Sequence, residues 1–245
     1  MWIVTPIGHH HWFDLGKTSE FSPSQYVAHR YGVKSIDYLV ISHPDKDHIE
    51  DLPNFMQAFG QPRVLRRNLS LPDEEFVGSG EADYQKYMLY LHHEFTGVIP
   101  EYKLPINPNY NGGIEYKQCC LTYGTFPDGS KLEGNNTSIV TFMLYQGVLF
   151  VCPGDIEPKG WTELWSQNSR DLQSIIAKAH TRLLVAPHHG RESGYSKEMM
   201  ESIQPHVVFI SDKWGASKTH YCYYEKPLGI KMADNQIICT SYDLI

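Results

Sequence analysis

The chain has 245 residues, of which 41% are hydrophobic and 20% are charged, and this composition is typical of a globular protein, which argues against disorder. The formal net charge of −7 gives no long-range attraction to a polyanion, so a constitutive nucleic-acid-binding protein is not favoured. The length permits one α/β domain, and we expect residues 1–245 to form a single domain.

Helix and strand signals alternate in the first sixty residues. A helical segment over 24–31, ended by Gly32, precedes the β-branched and aromatic run 36–42, which predicts a buried strand. A second helix is predicted over 50–58. The strand therefore delivers His43 to a loop that runs into a helix.

Residues 63–118 show one helical pattern, around 82–95, among passages rich in Pro, Asn and Gly. We interpret 63–118 as an inserted helical segment with long loops, which could serve as a lid.

The second half of the chain again alternates strands and helices. We predict strands at 138–145, 148–152, 183–186 and 207–211, and a helix at 196–203. The first two strands form a tight hairpin. Asp155 follows the second strand and His188 follows the third, which is typical of α/β layering with the chemistry at strand ends.

The segment His43-Pro44-Asp45-Lys46-Asp47-His48 places four potential metal ligands within six residues. Neutral imidazoles and carboxylates are the ligands that divalent Zn, Mn or Fe prefer when a bound water must stay reactive. An alternative is a polar helix start, with one acid as the cap. A cap needs no histidine, so we favour the metal site.

This segment resembles the HxHxDH motif of the metallo-β-lactamase superfamily in its HxDxDH form, and it is similar to the hydrolase domain of the competence protein ComEC and its free-standing relatives. The supporting blocks follow in the same order: Trp12-Phe13-Asp14-Leu15-Gly16, Asn135-Asn136-Thr137-Ser138, Gly154-Asp155 and Pro187-His188-His189-Gly190. The resemblance spans about residues 12–211, with 63–118 unaccounted for. It implies an αββα sandwich, in which two central β-sheets pack face to face between outer helices, here with an inserted helical segment.

The resemblance also implies two divalent metal ions, Zn or Mn. Its ligands for one ion are Asp47, His48 and His188, and those for the other are His43 and Asp45, with Asp155 bridging the two. Gly154 before Asp155 permits the sharp turn that a bridging carboxylate needs, although Asp155 could also be a turn residue.

One departure concerns the third-block histidine of the superfamily, which has no obvious counterpart here. Asn135-Asn136 stands near its place, so the site of His43, Asp45 and Asp155 is oxygen-rich, which favours Mn or a loosely held second Zn. Substitutes would be His92, His93 or His180, each more simply explained as a surface or core histidine. The run His9–His11 is ambiguous.

Further residues have candidate roles in catalysis or substrate binding. Asp47 is assigned to catalysis as well as to metal binding, and His189 could donate a proton to the leaving group or support the ligands. Lys46 and Arg191 could bind anionic substrate oxygens or be solvated surface charges. Asn135 and Asn136 could orient a water or fix a turn.

The implied function is metal-dependent hydrolysis, in which a metal-bound hydroxide, formed because the metal lowers the pKa of water to about 7, attacks the substrate. We favour phosphodiester bonds, with nucleic acid as a candidate substrate, because the blocks resemble the competence-type hydrolases. One alternative is a small ester, thioester or lactam, which the net charge favours. Another is an inactive metal-binding interaction module.

The cysteines and apolar runs suggest the compartment. Five cysteines without a CxxC pair argue against a disulfide framework and a thiolate zinc site. The longest apolar run, 139–151, is too short and interrupted to span a bilayer, and no secretory signal is visible at the start. We expect a cytoplasmic protein with no membrane partner.

Overall fold

The computed structural model describes residues 1–77 and 82–211, and the backbone of a short strand at 240–241. In these residues the fold is mixed α/β, as predicted. The chain divides into two compact units, Met1–Ile114 and Glu115–Ile245. The αββα packing and the single domain stay predictions, and His220, Cys222 and Cys239 lie outside the described residues.

The first unit contains a four-stranded sheet. Its strands, in spatial order, are β1 (Trp2–Val4), β2 (His10–Phe13), β3 (Tyr38–Val40) and β4 (Val64–Arg66). β1 and β2 are antiparallel, whereas β2, β3 and β4 are mutually parallel. The carboxyl ends of these three strands therefore meet at one edge, which receives Asp14, the motif that starts at His43, and Arg67.

The described residues of this unit also form the helices α1 (Pro23–Tyr31), α2 (Lys46–Ile49), α3 (Leu52–Phe59), α4 (Asp73–Val77), α5 (Asp83–Glu94) and α6 (Pro108–Asn111). The Ser22 hydroxyl accepts the Gln25 N–H at the start of α1, which satisfies a free helix-end donor. Trp12 is buried against the rings of Phe55 and Phe59. These apolar contacts hold α3 on the sheet.

The predicted insertion, 63–118, contains more sheet structure than expected. It begins with β4, which pairs with β3 and buries Leu65, and it ends with β5 (Glu115–Cys119), a strand of the second unit. The predicted helix is present as α5. Three-residue strands are too short to show a periodic pattern in sequence, and their pairing depends on partners distant in the chain. A lid role stays a prediction.

The second unit contains a six-stranded sheet. Its spatial order is β12 (Thr240–Ser241), β11 (Val207–Ile210), β10 (Thr181–Val185), β9 (Val148–Cys152), β8 (Val140–Tyr145) and β5. β8 forms the predicted hairpin with β9, and β9, β10 and β11 run parallel. Asp155 and His188 follow neighbouring parallel strands at the carboxyl edge. A small hairpin, β6 (Gly124–Thr125) and β7 (Lys131–Leu132), is separate.

In the described part of the second unit, the helices are α7 (Pro158–Ala177) and the predicted α8 (Lys197–Ile203). α7 buries Trp161, Leu164, Leu172 and Ile175 in the core of this unit, at spacings of three and eight residues, which fall on one helix face. Across the described parts of the chain, no helix is both long and apolar enough to cross a membrane.

Candidate metal site

The motif residues 43–48 leave β3 and enter α2 in the first unit. His43 and His48 are buried, and their ring centroids lie 4.2 Å apart. Asp45 and Asp47 are exposed, and an Asp45 carboxylate oxygen lies 3.6 Å from His43 Nε2. The sequence-predicted ligands of this unit therefore form one cluster around two buried imidazoles.

Asp14 holds this cluster from the end of β2. Its carboxylate accepts the backbone N–H of Ser42 at 2.7 Å, the Ser42 hydroxyl at 2.9 Å and His48 Nδ1 at 2.9 Å. Burial raises the pKa of Asp14, but the charge of His48 and these hydrogen bonds outweigh burial and lower it. Sequence reasoning missed this role, although Asp14 belongs to the matched block 12–16.

These hydrogen bonds determine which nitrogen of each ring carries the lone pair. A carboxylate accepts from His48 Nδ1, so the proton of a neutral ring is on Nδ1 and the lone pair is on Nε2. The Ser42 hydroxyl donates to Asp14, so its oxygen accepts from His43 Nδ1 at 3.1 Å. His43 Nε2 is buried and makes no hydrogen bond to any residue that the structure describes. A metal ion is a fitting partner for such a nitrogen.

Gly16 permits a close approach behind the motif. A Cβ atom at this position would lie 2.4 Å from the Asp47 carbonyl oxygen. Next to it, the backbone N–H of Leu15 donates to the His48 carbonyl at 2.6 Å, and Leu15 accepts the N–H of Asp51 at 2.7 Å. The backbone at 15–16 therefore supports the candidate ligands directly.

The second unit has its own cluster, around the buried Asp155. His188 Nε2 and His189 Nε2 lie 3.9 and 3.7 Å from Asp155 Oδ2, and the Asp155 N–H donates to Ser138 Oγ at 3.1 Å. His188 and His189 both have left-handed backbone angles, with φ of 48° and 56°. Two such non-glycine residues in succession are unfavourable and are typical of functional sites.

Both histidines adopt the tautomer found in the first unit. His189 Nδ1 donates to the carbonyl of Ser211 at 2.9 Å, which leaves its lone pair on Nε2. Arg191 can only donate, so its contact of 3.5 Å makes His188 Nε2 an acceptor, and His188 Nδ1 is bonded to Ser193 Oγ at 2.8 Å. Burial lowers the pKa of His188, which favours the neutral ring.

Asn135 and Asn136 lie in a turn and contact Glu157. Asn136 Nδ2 donates to the Glu157 carboxylate at 3.0 Å, and its Oδ1 accepts the Glu157 N–H at 3.2 Å; Asn135 Nδ2 also contacts this carboxylate, at 3.4 Å. Glu157 is the residue before α7. These contacts fit the turn interpretation, and the water-orienting role stays a prediction.

The other candidate charges and histidines have local partners. Lys46 is exposed and lies 3.5 Å from Glu50. The three substitute histidines contact other groups: His92 with Arg67, His93 with Asp73, and His180 with Thr181. The rings of the ambiguous run also pack separately: His9 on Tyr110, His10 on Trp2, and His11 on Tyr38. These packing contacts give the run a structural role.

No protein-family model matches this sequence. The chain is similar to ComE operon protein 3 of Bacillus subtilis (strain 168). The two are 22% identical over 183 residues, which is 74% of this chain and 20% of that protein. The chain thus spans about a fifth of this relative's length. Among the described residues, the His and Asp side chains that could hold a metal ion include Asp47 and His48 in the first unit, and Asp155 and His189 in the second.

Proposed function

We propose that the chain is a metal-dependent hydrolase that cleaves phosphodiester bonds, with nucleic acid as a candidate substrate. The observation that carries the proposal is that an oxygen atom engages Nδ1 of His43, His48, His188 and His189. When that oxygen accepts the Nδ1 proton of a neutral ring, the lone pair is on Nε2. Metal-binding histidines typically donate their other ring N–H in this way, which fixes the tautomer and the ring orientation.

The donor set also fits a divalent cation. Imidazole nitrogens and carboxylate oxygens occur in both units, without a cysteine, as in sites for Zn, Mn or Fe that perform hydrolysis. A divalent ion bound by such ligands would supply a hydroxide nucleophile at neutral pH and stabilise negative charge on the reacting oxygens.

The protein's own residues hold these donors in place before any ion binds. Asp14 and Ser42 orient His48 and His43, which reduces the entropy that metal binding would otherwise cost. In the second unit, Ser138 fixes the backbone of Asp155, and Arg191 brings a positive charge beside His188. A guanidinium there is suited to an anionic leaving group or substrate oxygen.

A phosphodiester is favoured over a neutral substrate by Arg191, whose Nε is buried without a hydrogen bond to the described residues. The net charge of −7 favours the rival, a small ester, thioester or lactam. An inactive interaction module would bind metal and turn over none of these substrates.

The experiment combines elemental analysis with turnover of bis(p-nitrophenyl) phosphate, p-nitrophenyl acetate and a chromogenic lactam, each with Zn and with Mn. We expect about one to two divalent ions per chain and measurable diester cleavage. Asp155→Ala should lower both, whereas Asp171→Ala should lower neither, because Asp171 is exposed and pairs with Lys117. Equal metal content in the two variants would refute the ligand assignment. Turnover of acetate or lactam alone would favour the rival.

The neighbours His188 and His189 require a separate test. The sequence assigns His188 as a ligand and His189 as a proton donor, whereas the neutral tautomer of His189 presents a lone pair. If His189 donates a proton, His189→Ala should keep the metal, lower the rate at neutral pH and flatten the alkaline limb of the pH profile. If it is a ligand, His189→Ala should lose metal. His180→Ala is the matched control, since His180 is exposed and bonded to Thr181.

A further inference from the structure

A pair of arginines ends β4 beside the motif of the first unit. Arg66 is the register partner of Val40 in the parallel pair of β3 and β4, and its carbonyl accepts the N–H of Ile41 at 2.9 Å. Ser42 and His43 follow Ile41 along the chain, just beyond the end of β3. The pairing therefore brings Arg66 to the sheet edge at which the candidate ligands begin.

Arg67 has a structural explanation. It is buried, its Nε donates to His92 Nδ1 at 2.9 Å, and its Nη2 donates to the carbonyls of His92 and Phe95. These carbonyls lie at the end of α5, where the last C=O groups of a helix lack internal partners and carry partial negative charge. Arg67 thus caps α5.

Arg66 has no comparable partner. Its side chain is partly buried, and its Nε is shielded from solvent without a hydrogen bond to any residue of 1–77 or 82–211. No carboxylate in those ranges forms an ion pair with it, although the whole chain carries 28 acidic residues. Because shielding a charged donor costs free energy unless it is paired, an external anion would satisfy this guanidinium.

The neighbouring charge strengthens the attraction for an anion. Burial first, and then the charge of Arg66, lower the pKa of Arg67, so the two guanidinium groups interact. Two adjacent positive charges raise the local potential despite the negative net charge of the chain. The planar guanidinium fork matches the oxygens of a phosphate group.

We infer that Arg66 binds a phosphate oxygen of the substrate at the carboxyl edge of the first sheet. This inference rests on the proposed function for the identity of the anion, and it deepens that function by naming an anionic substrate. The sequence had suggested Lys46 for binding anionic substrate oxygens, but Lys46 is exposed and lies beside Glu50.

The test measures anion binding separately from catalysis. Metal-free protein, kept in a chelator, is titrated with bis(p-nitrophenyl) phosphate and with inorganic phosphate by calorimetry. Arg66→Gln should weaken binding of the diester about tenfold or more, which is the loss typical of one charged hydrogen bond. Arg66→Lys should fall between wild type and Arg66→Gln, because lysine keeps the charge but not the planar fork.

Arg63→Gln is the matched control. Arg63 precedes the opposite end of β4, is exposed, and lies 3.9 Å from Asp37 and over the Tyr110 ring, so its removal makes the same change in net charge at another place. Diester binding should change less than twofold in Arg63→Gln. Equal weakening in Arg63→Gln and Arg66→Gln, or unchanged binding in Arg66→Gln, would overturn the inference.

Two further measurements keep the outcomes distinct. Circular dichroism and the unfolding midpoint identify a variant that fails to fold, in which case Arg66→Lys decides. If the metal-loaded wild type cleaves no diester but binds it in an Arg66-dependent way, the proposed catalysis fails and the anion site stands. If turnover is present but Arg66→Gln leaves its KM for the diester unchanged, the site fails and the proposed function stands.

Discussion

Replacing Gly16 by alanine tests whether the backbone behind the motif holds the candidate ligands. The new Cβ would lie 2.4 Å from the Asp47 carbonyl oxygen, and no other heavy atom except the attached Asp47 carbon, at 3.6 Å, is within 4 Å. Side-chain Cβ atoms essentially never approach closer than 3.0 Å, so the peptide between Asp47 and His48 must move by about 0.6 Å or more. A backbone atom cannot relieve this contact by rotating a side chain.

The expected cost of Gly16→Ala is about 1–3 kcal/mol of unfolding free energy, the range for overpacking a well-packed site. Displaced ligands should also weaken Zn or Mn binding by about 10–100-fold, as changes behind a metal ligand do. Denaturant unfolding of metal-free protein measures the first quantity, and calorimetric titration with each metal measures the second.

Gly97→Ala is the matched control, because its Cβ would meet no atom within 4 Å. It should change the unfolding free energy by less than about 0.5 kcal/mol and leave metal affinity unchanged. If Gly16→Ala matched Gly97→Ala in both quantities, the close approach of the 15–16 backbone would have no role in holding the site.

Three more predictions address other parts of the structure. Burial lowers the pKa of His11 to about 4, so the unfolded chain takes up a proton at a higher pH than the folded chain does. The unfolding free energy should therefore drop by about 2 kcal/mol between pH 7 and pH 5. His11→Phe should remove this part of the pH dependence in denaturant titrations. Asp14→Asn should weaken Zn binding about 10–100-fold in calorimetry, because an amide can donate to His48 Nδ1 and favour the wrong tautomer; unchanged affinity would contradict this. Gly194→Ala would place a Cβ 2.7 Å from His188 Cβ, and we expect a loss of about 1–3 kcal/mol with slower diester turnover, measured against Gly97→Ala.

The sequence predicted the elements whose signals are local. The helix over 24–31 appears as α1, because Ser22 and Pro23 mark its start in the sequence itself. The hairpin at 146–147 appears between β8 and β9, since its two-residue loop is itself a strong signal. The side chains of the motif at 43–48 lie close together in the first unit, because they stand in one short segment, and their role as metal ligands stays a prediction.

The parts that depend on distant partners were not predictable. β4 has only three residues and is defined by its pairing with β3. α7 was missed because its exposed face is rich in Ser, Asn and Gln, which weakens the helical signal. The position of Asp14 behind His48 is set 34 residues away along the chain. Arg66 belongs to no sequence motif. That its Nε makes no hydrogen bond to the described residues follows only from the positions of its neighbours in the fold.

Two costly features of the structure argue against a purely structural role for the candidate ligands. His188 and His189 occupy left-handed backbone conformations in succession, each at a cost of about 1–2 kcal/mol for a residue with a side chain. Glycine would remove that cost, and an apolar residue at His43 would remove the buried nitrogen that lacks a hydrogen bond among the described residues. A protein that only presented a surface to a partner would gain stability from such changes without losing its contacts. Because proteins carry strain and unpaired buried nitrogens chiefly at functional sites, both features favour a metal site, and the turnover assay separates a hydrolase from an inactive metal-binding module.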